Sequence, residues 1–249
     1  MKIPLYFISD VHLSLVGSSD EQRKRKKLKQ FVHHIIEKNG TLIIVGDLFD
    51  FWFEYKHVIP KAYFDILAIL NEAKLKGVKI HFVPGNHDFW IKGFLKDTFF
   101  DEVHPNGIEI EISGKHFLIN HGDGILSWDR GYRLLRKILR NRIFIFLYSW
   151  IHPDLGYTIA KMFSRNGDYN HHTYEYKHKV LEELKNYSKK EINKGIDYVI
   201  MGHYHQLKDI TLEKGKLLIL GDWIKHYSYG YFDGKELTLK VWDMEKNEI

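Results

Sequence analysis

Short apolar runs alternate with longer stretches in which apolar residues recur every three or four positions, and this pattern holds to about residue 105. Residues 3–9, 41–45 (TLIIV) and 78–83 (VKIHFV) read as buried strands. Between them, Leu28, Phe31, Val32, Ile35 and Ile36 predict a helix that Asn39 and Gly40 end. A second helix is expected to start near Pro60, turn Phe64, Leu67 and Leu70 inward and stop at Gly77. Strand–helix alternation of this kind predicts a βαβαβ unit with a largely parallel sheet.

Beyond residue 105 the pattern turns to hairpins. IEIEISGKHFLIN places Gly114 in a turn, DITLEKGKLLILGD has a Lys-Gly turn, and YGYFDGKELTLKVW has an Asp-Gly turn. DYVIMGHYH adds another buried strand. A second sheet rich in antiparallel pairs is therefore expected, stacked on the first. Residues 125–190 interrupt it with helical material, in which Tyr132, Leu135 and Leu139 share one face and Val180, Leu184 and Tyr187 another. The expectation is an α/β protein: a four-layer α/β/β/α sandwich, one domain over residues 1–249, with a helical cap inserted at about 125–190.

The polar residues fall where the apolar runs end. FISDVH supplies Asp10 and His12, IIVGD supplies Asp47, FVPGNHD supplies Asn86, LINHGD supplies His121, and VIMGHYH supplies His203 and His205. Ligands of α/β sheets gather beyond the carboxyl ends of the strands, so residues far apart in the chain can converge there. One buried Asp or His at a strand end is ordinarily a helix cap or a satisfied core residue. Five strands ending alike point to a shared site, and Gly46, Gly85 and Gly202 let the backbone turn tightly beside it.

Carboxylate, amide oxygen and imidazole together suit two divalent ions, manganese, iron or zinc rather than magnesium. Strand side chains repeat with period two, so Asp10 and His12 share a side, as do His203 and His205. The division expected is Asp10, His12 and His205 on one ion, Asn86, His121 and His203 on the other, and Asp47 bridging. Such a pair of ions can activate a water for displacement at phosphorus. His87, beside a ligand, is expected to reach a phosphate as a proton or hydrogen-bond donor, with Asp88 holding its tautomer. The catalytic set is thus His87, Asp88, Asp47 and Asn86.

Weaker candidates surround these. Asp123 reads as a support for His121, whereas Asp222 and His226 follow a strand when every ligand place is filled. His33 and His34 are expected on a solvated helix face. His57, His81, His104, His116, His152 and His178 lack paired ligand spacing and read as structural or exposed.

Composition narrows the chemistry further. Of 249 residues, 44% are hydrophobic, ample for a large core, and the absence of cysteine excludes disulfides, thiolate metal sites and cysteine nucleophiles. The formal charge of +5 tolerates anionic ligands without requiring nucleic acid. The first residues, MKIPLYFISDVHL, meet Asp10 too early for a signal peptide and read as the first strand of a cytoplasmic protein. The longest greasy run, IFIFLYSWI at 143–151, is too short to cross a bilayer.

In this order, SDVHL, GDLFDFW, GNHDFW, HGDG and GHYHQ resemble the motifs of the calcineurin-like metallophosphoesterase superfamily. The likeness continues through FWFEYK at 51–56, SWDRGYR at 127–133, IHPDLG at 151–156 and GDWI at 221–224. There it resembles the UDP-2,3-diacylglucosamine hydrolases of lipid A synthesis, in a Bacteroidota-type branch. That resemblance implies manganese-dependent attack of an activated water on the α-phosphorus of UDP-2,3-diacylglucosamine, giving UMP and 2,3-diacylglucosamine 1-phosphate (lipid X). It implies metal-ligand roles for Asp10, His12, Asp47, Asn86, His121, His203 and His205, and substrate contacts for Asn86, His87, Asp129, Arg133, Ser164, Arg165 and His203. Leu134, Phe146, Leu147, Ile159 and Phe163 become candidates for an acyl chamber. Proteobacterial members carry Arg where this chain has His87, exchanging a fixed charge for a titratable ring.

Between Asp129 and Arg165 there are eight Lys or Arg residues and two acids, interleaved with RIFIF and LYSWIH. Such a segment suits an anionic membrane surface, or a buried cap helix with solvated arginines. The basic run RKRKKLK at 23–29 reads first as a solvated helix face. The expected partners are the UDP-linked lipid and an anionic membrane at the cytoplasmic face of the inner membrane; neither nucleic acid nor an obligate protein partner is expected. The competing readings are hydrolysis of another phosphodiester or nucleotide, as by a nuclease or a phosphoprotein phosphatase, and a non-catalytic scaffold.

Overall fold

The computed structural model describes residues 1–166 and 173–243, with the side chains of 161–166 outside the description. Its first half follows the alternating pattern. Strand β1 (Leu5–Ile8) leads to helix α1 (Ser19–Lys38), β2 (Thr41–Val45), α2 (Phe64–Leu75), β3 (Lys79–Val83), short α3 (Gly93–Thr98) and two-residue β4 (Glu102–Val103). Ser18 starts α1 by accepting from the Glu21 amide, and Asn39 ends it in the left-handed conformation with φ 49°. The hairpin β5 (Ile108–Ile112)–β6 (Lys115–Asn120) follows, then α4 (Arg130–Leu139), α5 (Arg142–Tyr148), α6 (Pro153–Asn166) and α7 (Tyr174–Ile192). The chain closes with β7 (Tyr198–Met201), β8 (Leu207–Leu212), β9 (Gly215–Leu220), β10 (Ser228–Phe232) and β11 (Leu237–Val241).

These strands make two sheets, β11-β10-β1-β2-β3-β4 and β5-β6-β7-β9-β8. Because strand side chains alternate, each sheet feeds two cores. Tyr6, Ile8, Leu42, Ile44, Ile80 and Phe82 meet Leu28, Phe31 and Ile35 of α1 and Ile66, Leu70 and Ala73 of α2. The opposite faces of the same strands, through Leu5, Phe7, Ile43 and Val45, meet Phe117, Ile119, Ile200 and Leu218 of the second sheet. On the far side, Val199, Met201, Leu217 and Ile219 bury Val180, Leu184 and Ile192 of α7. The four layers are helices, sheet, sheet, helix, as the pattern predicted.

Several expectations are corrected. The β10–β11 hairpin joins the first sheet, β10 lying antiparallel to β1, and the second sheet runs parallel through its middle strands β6, β7 and β9. Leu67 and Leu70 of α2 face inward as expected, together with Ile66 and Ile69, but Phe64 at the start of the helix is 74% exposed. Helix α7 serves as a sandwich layer, leaving α4–α6 as the material outside the layers. The basic run is only partly solvated: Lys24 is buried and donates to the His12 carbonyl at 2.5 Å, and Arg25 reaches Asp65 at 2.6 Å and the Ser14 carbonyl at 2.8 Å. His34 is half-buried, its ring 5.3 Å from that of Trp242.

Phe117 sits at the centre of the intersheet layer, its ring 5.0 Å from Phe232 and 6.3 Å from Phe7. Phe117→Ala is expected to cost about 3–5 kcal/mol of unfolding free energy, read by denaturant titration of the metal-free protein. A cost below about 1 kcal/mol would mean that the two sheets do not depend on this ring for their contact.

Candidate metal centre

Strands β1, β2, β3, β6 and β7 all deliver their polar residues to one end of the sandwich. Leaving the strands requires an abrupt turn, and five of the converging residues take it in the left-handed region: Asp10 (φ 53°), His12 (46°), Asp47 (54°), His203 (69°) and His205 (51°). That conformation is uncommon for residues with a side chain, and it collects at functional sites when the surroundings enforce it. The glycines make the close approach possible. A Cβ on Gly85 would stand 2.6 Å from the Asp47 amide nitrogen, and one on Gly202 would stand 2.7 Å from Asp10 Oδ2.

Two ligand sets form side by side: Asp10, His12 and His205, and Asp47, His121 and His203. Asp47 Oδ2 lies 3.2 Å from His121 Nε2 and 3.8 Å from His12 Nε2, facing both sets as a bridging ligand must. Asn86 Oδ1 is 3.2 Å from His121 Nε2. Asp10 Oδ1 is 3.8 Å from His12 Nε2 and 3.5 Å from His205 Nε2. The other atoms of these groups are tied down: Asp10 Oδ2 accepts from the His203 amide at 2.8 Å, and His121 Nδ1 donates to the Val45 carbonyl at 2.8 Å. Asp10 Oδ1 and His12 Nε2 are buried and have no hydrogen-bond partner among the described residues. Buried polar atoms are rarely left so. The donor set, its spacing and these two free atoms fit a pair of divalent ions.

The electrostatics agree. Burial disfavours a charged His12, yet the carboxylates of Asp10, Asp50 and Asp47 beside it outweigh that cost and raise its pKa to about 10. His121 is likewise penalised by burial, but the charge and hydrogen bond of Asp47, reinforced by Asp10 and Asp123, raise it to about 10. Burial and the neighbouring His121 push His203 down to about 4. Two buried carboxylates thus demand cations, and without ions protons on His12 and His121 meet that demand.

His87 presents its ring to the same space, 4.8 Å from the His12 ring, and forms a third set with His12 and Asp47. Its Nδ1 donates to the Asp50 carbonyl at 2.7 Å, leaving Nε2 free. Asp88 is therefore not the group that holds its tautomer. The Asp88 carboxylate is wholly buried and accepts from the amides of Leu48 (2.7 Å), Gly85 (2.8 Å) and Asp47 (3.2 Å), which shapes the two metal-bearing turns. Burial and the charge of Asp47 raise its carboxyl to about 7.

Asp50 escaped the strand-end rule because it lies three residues past Asp47, yet its carboxylate also stands 3.4 Å from His12 Nδ1. The GDLFD spacing was the available signal. Asp222 holds His226 Nδ1 at 2.7 Å and faces His205 Nδ1 at 3.8 Å, so it steadies His205 from behind. Asp123 accepts from Arg136 Nε, and from Arg140 Nη2 at 3.0 Å, which binds α4 to the rim of the site. Arg136 and Arg140, not the exposed Arg133, are the α4 cations turned toward it. Asp129 caps α4 by accepting from the Tyr132 amide at 3.0 Å. Ser164, Arg165 and Phe163 lie outside the described side chains.

The aromatic tails of the motifs carry the cap. Phe53 and Trp90 pack with Tyr148 of α5, joined by Phe51, Tyr55, Phe89, Leu139 and Phe144. Trp90 Nε1 donates to the Leu139 carbonyl at 3.0 Å.

Residues 3–207 match the family model described as calcineurin-like phosphoesterase. The chain belongs to that family. It is 34% identical, over 98% of its length and 100% of the relative's, to the UDP-2,3-diacylglucosamine hydrolase of Porphyromonas gingivalis. Proteins of the same name from Haemophilus influenzae (25% identical, 90% and 92% covered) and Blochmanniella pennsylvanica (29% identical, 90% of each) also match. This metallophosphoesterase is thus closely related to the UDP-2,3-diacylglucosamine hydrolases, an enzyme with two adjoining metal-binding clusters.

Two outcomes follow from the packing and the charge. Gly85→Ala is expected to cost about 1–3 kcal/mol and to weaken metal uptake, because its methyl group meets the Asp47 turn; calorimetric metal titration that matched the parent would refute the close-packed turn. Metal loading at about pH 8 is expected to release close to two protons per chain, since His12 and His121 both sit near 10 and must deprotonate to bind. Proton release therefore falls as pH rises through about 10, and titration in buffers of different ionisation enthalpy reads it.

Proposed function

We propose that this enzyme cleaves the pyrophosphate bond of UDP-2,3-diacylglucosamine, yielding UMP and 2,3-diacylglucosamine 1-phosphate, at the cytoplasmic face of the inner membrane. The observation that carries the proposal is the cap seated over the cradle: the aromatics next to Asp50 and Asp88 anchor α4 and α5, and the outer faces of these helices are apolar. Leu134, Phe146 and Leu147 are each about 60% exposed and Trp150 is 78% exposed. These residues offer contact to acyl chains and to a lipid surface, with Arg and Lys beside them for anionic headgroups. None of the described helices is long and apolar enough to cross a membrane. The 34%-identical relative from Porphyromonas gingivalis is a UDP-2,3-diacylglucosamine hydrolase, which supports the same substrate.

On this reading Asp10, His12 and His205 would hold one ion and Asn86, His121 and His203 the other, with Asp47 within reach of both sets. Two ions bound there, manganese by first choice, would supply an activated water and neutralise charge at phosphorus. The chain's own groups do the rest. His87 Nε2, free because Nδ1 is committed to the Asp50 carbonyl, faces the phosphate and hydrogen-bonds it or protonates the departing oxygen. Arg140 Nε and Tyr132 Oη are buried without hydrogen-bond partners among the described residues, and a phosphate or sugar oxygen satisfies both. Water adds to the α-phosphorus, the bond to the bridging oxygen breaks, and the sugar keeps the β-phosphate as its 1-phosphate.

The manganese-loaded protein is expected to release UMP from UDP-2,3-diacylglucosamine in labelled water, with ¹⁸O appearing in UMP. His87→Ala is expected to lower kcat by about 10²–10⁴ with ions retained. An intact lipid, together with cleavage of simple phosphodiesters, would overturn the substrate and leave a phosphodiesterase of other specificity.

A further inference from the structure

Far from the cradle, His81 of β3 and the Glu102-Val103-His104 segment at β4 bring three ligand groups together at the edge of the first sheet. We propose that His81, Glu102 and His104 form a separate site for a transition-metal ion of the zinc class. Strand periodicity builds it. Glu102 and His104 are two residues apart and project to the same side, while Val103 between them packs against the helix-side core. Register completes it, because His81 pairs with Glu102 in the parallel β3–β4 ladder.

The spacing decides what the cluster can hold. His81 Nδ1 is 3.2 Å from His104 Nε2 and 3.8 Å from Glu102 Oε2, and His104 Nε2 is 3.4 Å from Glu102 Oε2. Ligands about 2.0–2.1 Å from a tetrahedral zinc ion stand roughly 3.4 Å apart, so three corners are already in place. Glu102 is 64% exposed on its side chain and His104 20%, which leaves the fourth corner to water or a soluble ligand. Two imidazoles and one carboxylate favour zinc, cobalt or nickel over magnesium or calcium.

The protonation states also suit ligation. Burial and the nearby His104 hold His81 below its ordinary value, and burial does the same to His104. Both rings therefore keep a lone pair at neutral pH, the reverse of His12 and His121. His81 lies within β3, whereas Asn86 follows in the turn beyond the strand's end at Val83, and the cluster shares no residue with either cradle set, so this ion is not one of the catalytic pair. Its local effect is a clip on the shortest strand, added to the bonds from the Asp101 and His104 amides to the Ile80 and Phe82 carbonyls, each 2.8 Å, and from the Ile80 amide to the Asp101 carboxylate.

Equilibrium dialysis with cobalt(II), read by elemental analysis and visible absorption, tests the site on the full chain. About three ions per parent chain are expected, and about two in His104→Ala and in Glu102→Gln, with phosphodiester hydrolysis unchanged in both. A variant with a disabled cradle, Asp47→Asn with His121→Ala, is expected to keep about one ion with a tetrahedral cobalt spectrum, and adding His104→Ala should remove it. Saturation of the parent at two ions, or a third ion that survives both His104→Ala and Glu102→Gln, would overturn the proposal. The three groups would then be a hydrogen-bonded histidine pair with a neighbouring acid.

Discussion

The molecule is organised around two carboxylates that have been taken almost entirely out of water. Asp10 is fully buried and Asp47 is 2% exposed, and they follow the adjacent parallel strands β1 and β2 of one sheet. Burying an unpaired carboxylate is prohibitively costly, so such groups exist only with cations or strong donors around them. Every nearby device answers that requirement: the His203 and His87 amides donate to the carboxylate oxygens, and the histidines crowd in at ion-binding distance. The left-handed turns that aim these groups are tolerable because neighbouring amides and glycines hold the backbone there. The strain of the loops and the chemistry of the cradle have one origin.

Much of this was visible in the linear pattern. Strand periodicity located β1, β2 and β3, and a polar residue after each apolar run marked Asp10, Asp47 and Asn86 before any geometry was known. The fold brings Asp10, His12 and His205 into one cluster and His121 and His203 into another with Asp47. What escaped the reading depends on long-range packing. Asp88 is adjacent to His87 in sequence, yet a side chain's target is set by which backbone amides surround it, and here those are Asp47 and Leu48 in the turn after β2 and Gly85 in the turn after β3. The destination of the last hairpin was likewise hidden, because a two-stranded unit with alternating polarity fits either sheet edge until the neighbouring strand is known. Phe64 shows the same limit on a helix, where the first turn can be rotated away from the core by the short helical segment preceding it.

The aromatic residues after each motif explain why cap and cradle behave as one piece. Phe53 and Trp90 lie three and two residues beyond Asp50 and Asp88, so the turns that aim the polar groups continue directly into the cluster that seats α5. Arg136 and Arg140 add a polar fastening through Asp123, on the strand-end turn that carries His121. A displacement of α4 therefore pulls on two of the ligand-bearing turns at once.

The position of β1 has a further consequence for how the protein is made. This strand lies between β2 and β10, and the Asp10 carboxylate is met by an amide 193 residues farther along. On the ribosome, this strand emerges long before one of its two neighbours exists, and that edge stays unpaired until the closing hairpin arrives. Such distant pairings fold slowly. The nascent chain must hold one strand edge open until nearly the last of its sheet has been synthesised, and an unpaired edge of that kind is open to pairing with another chain.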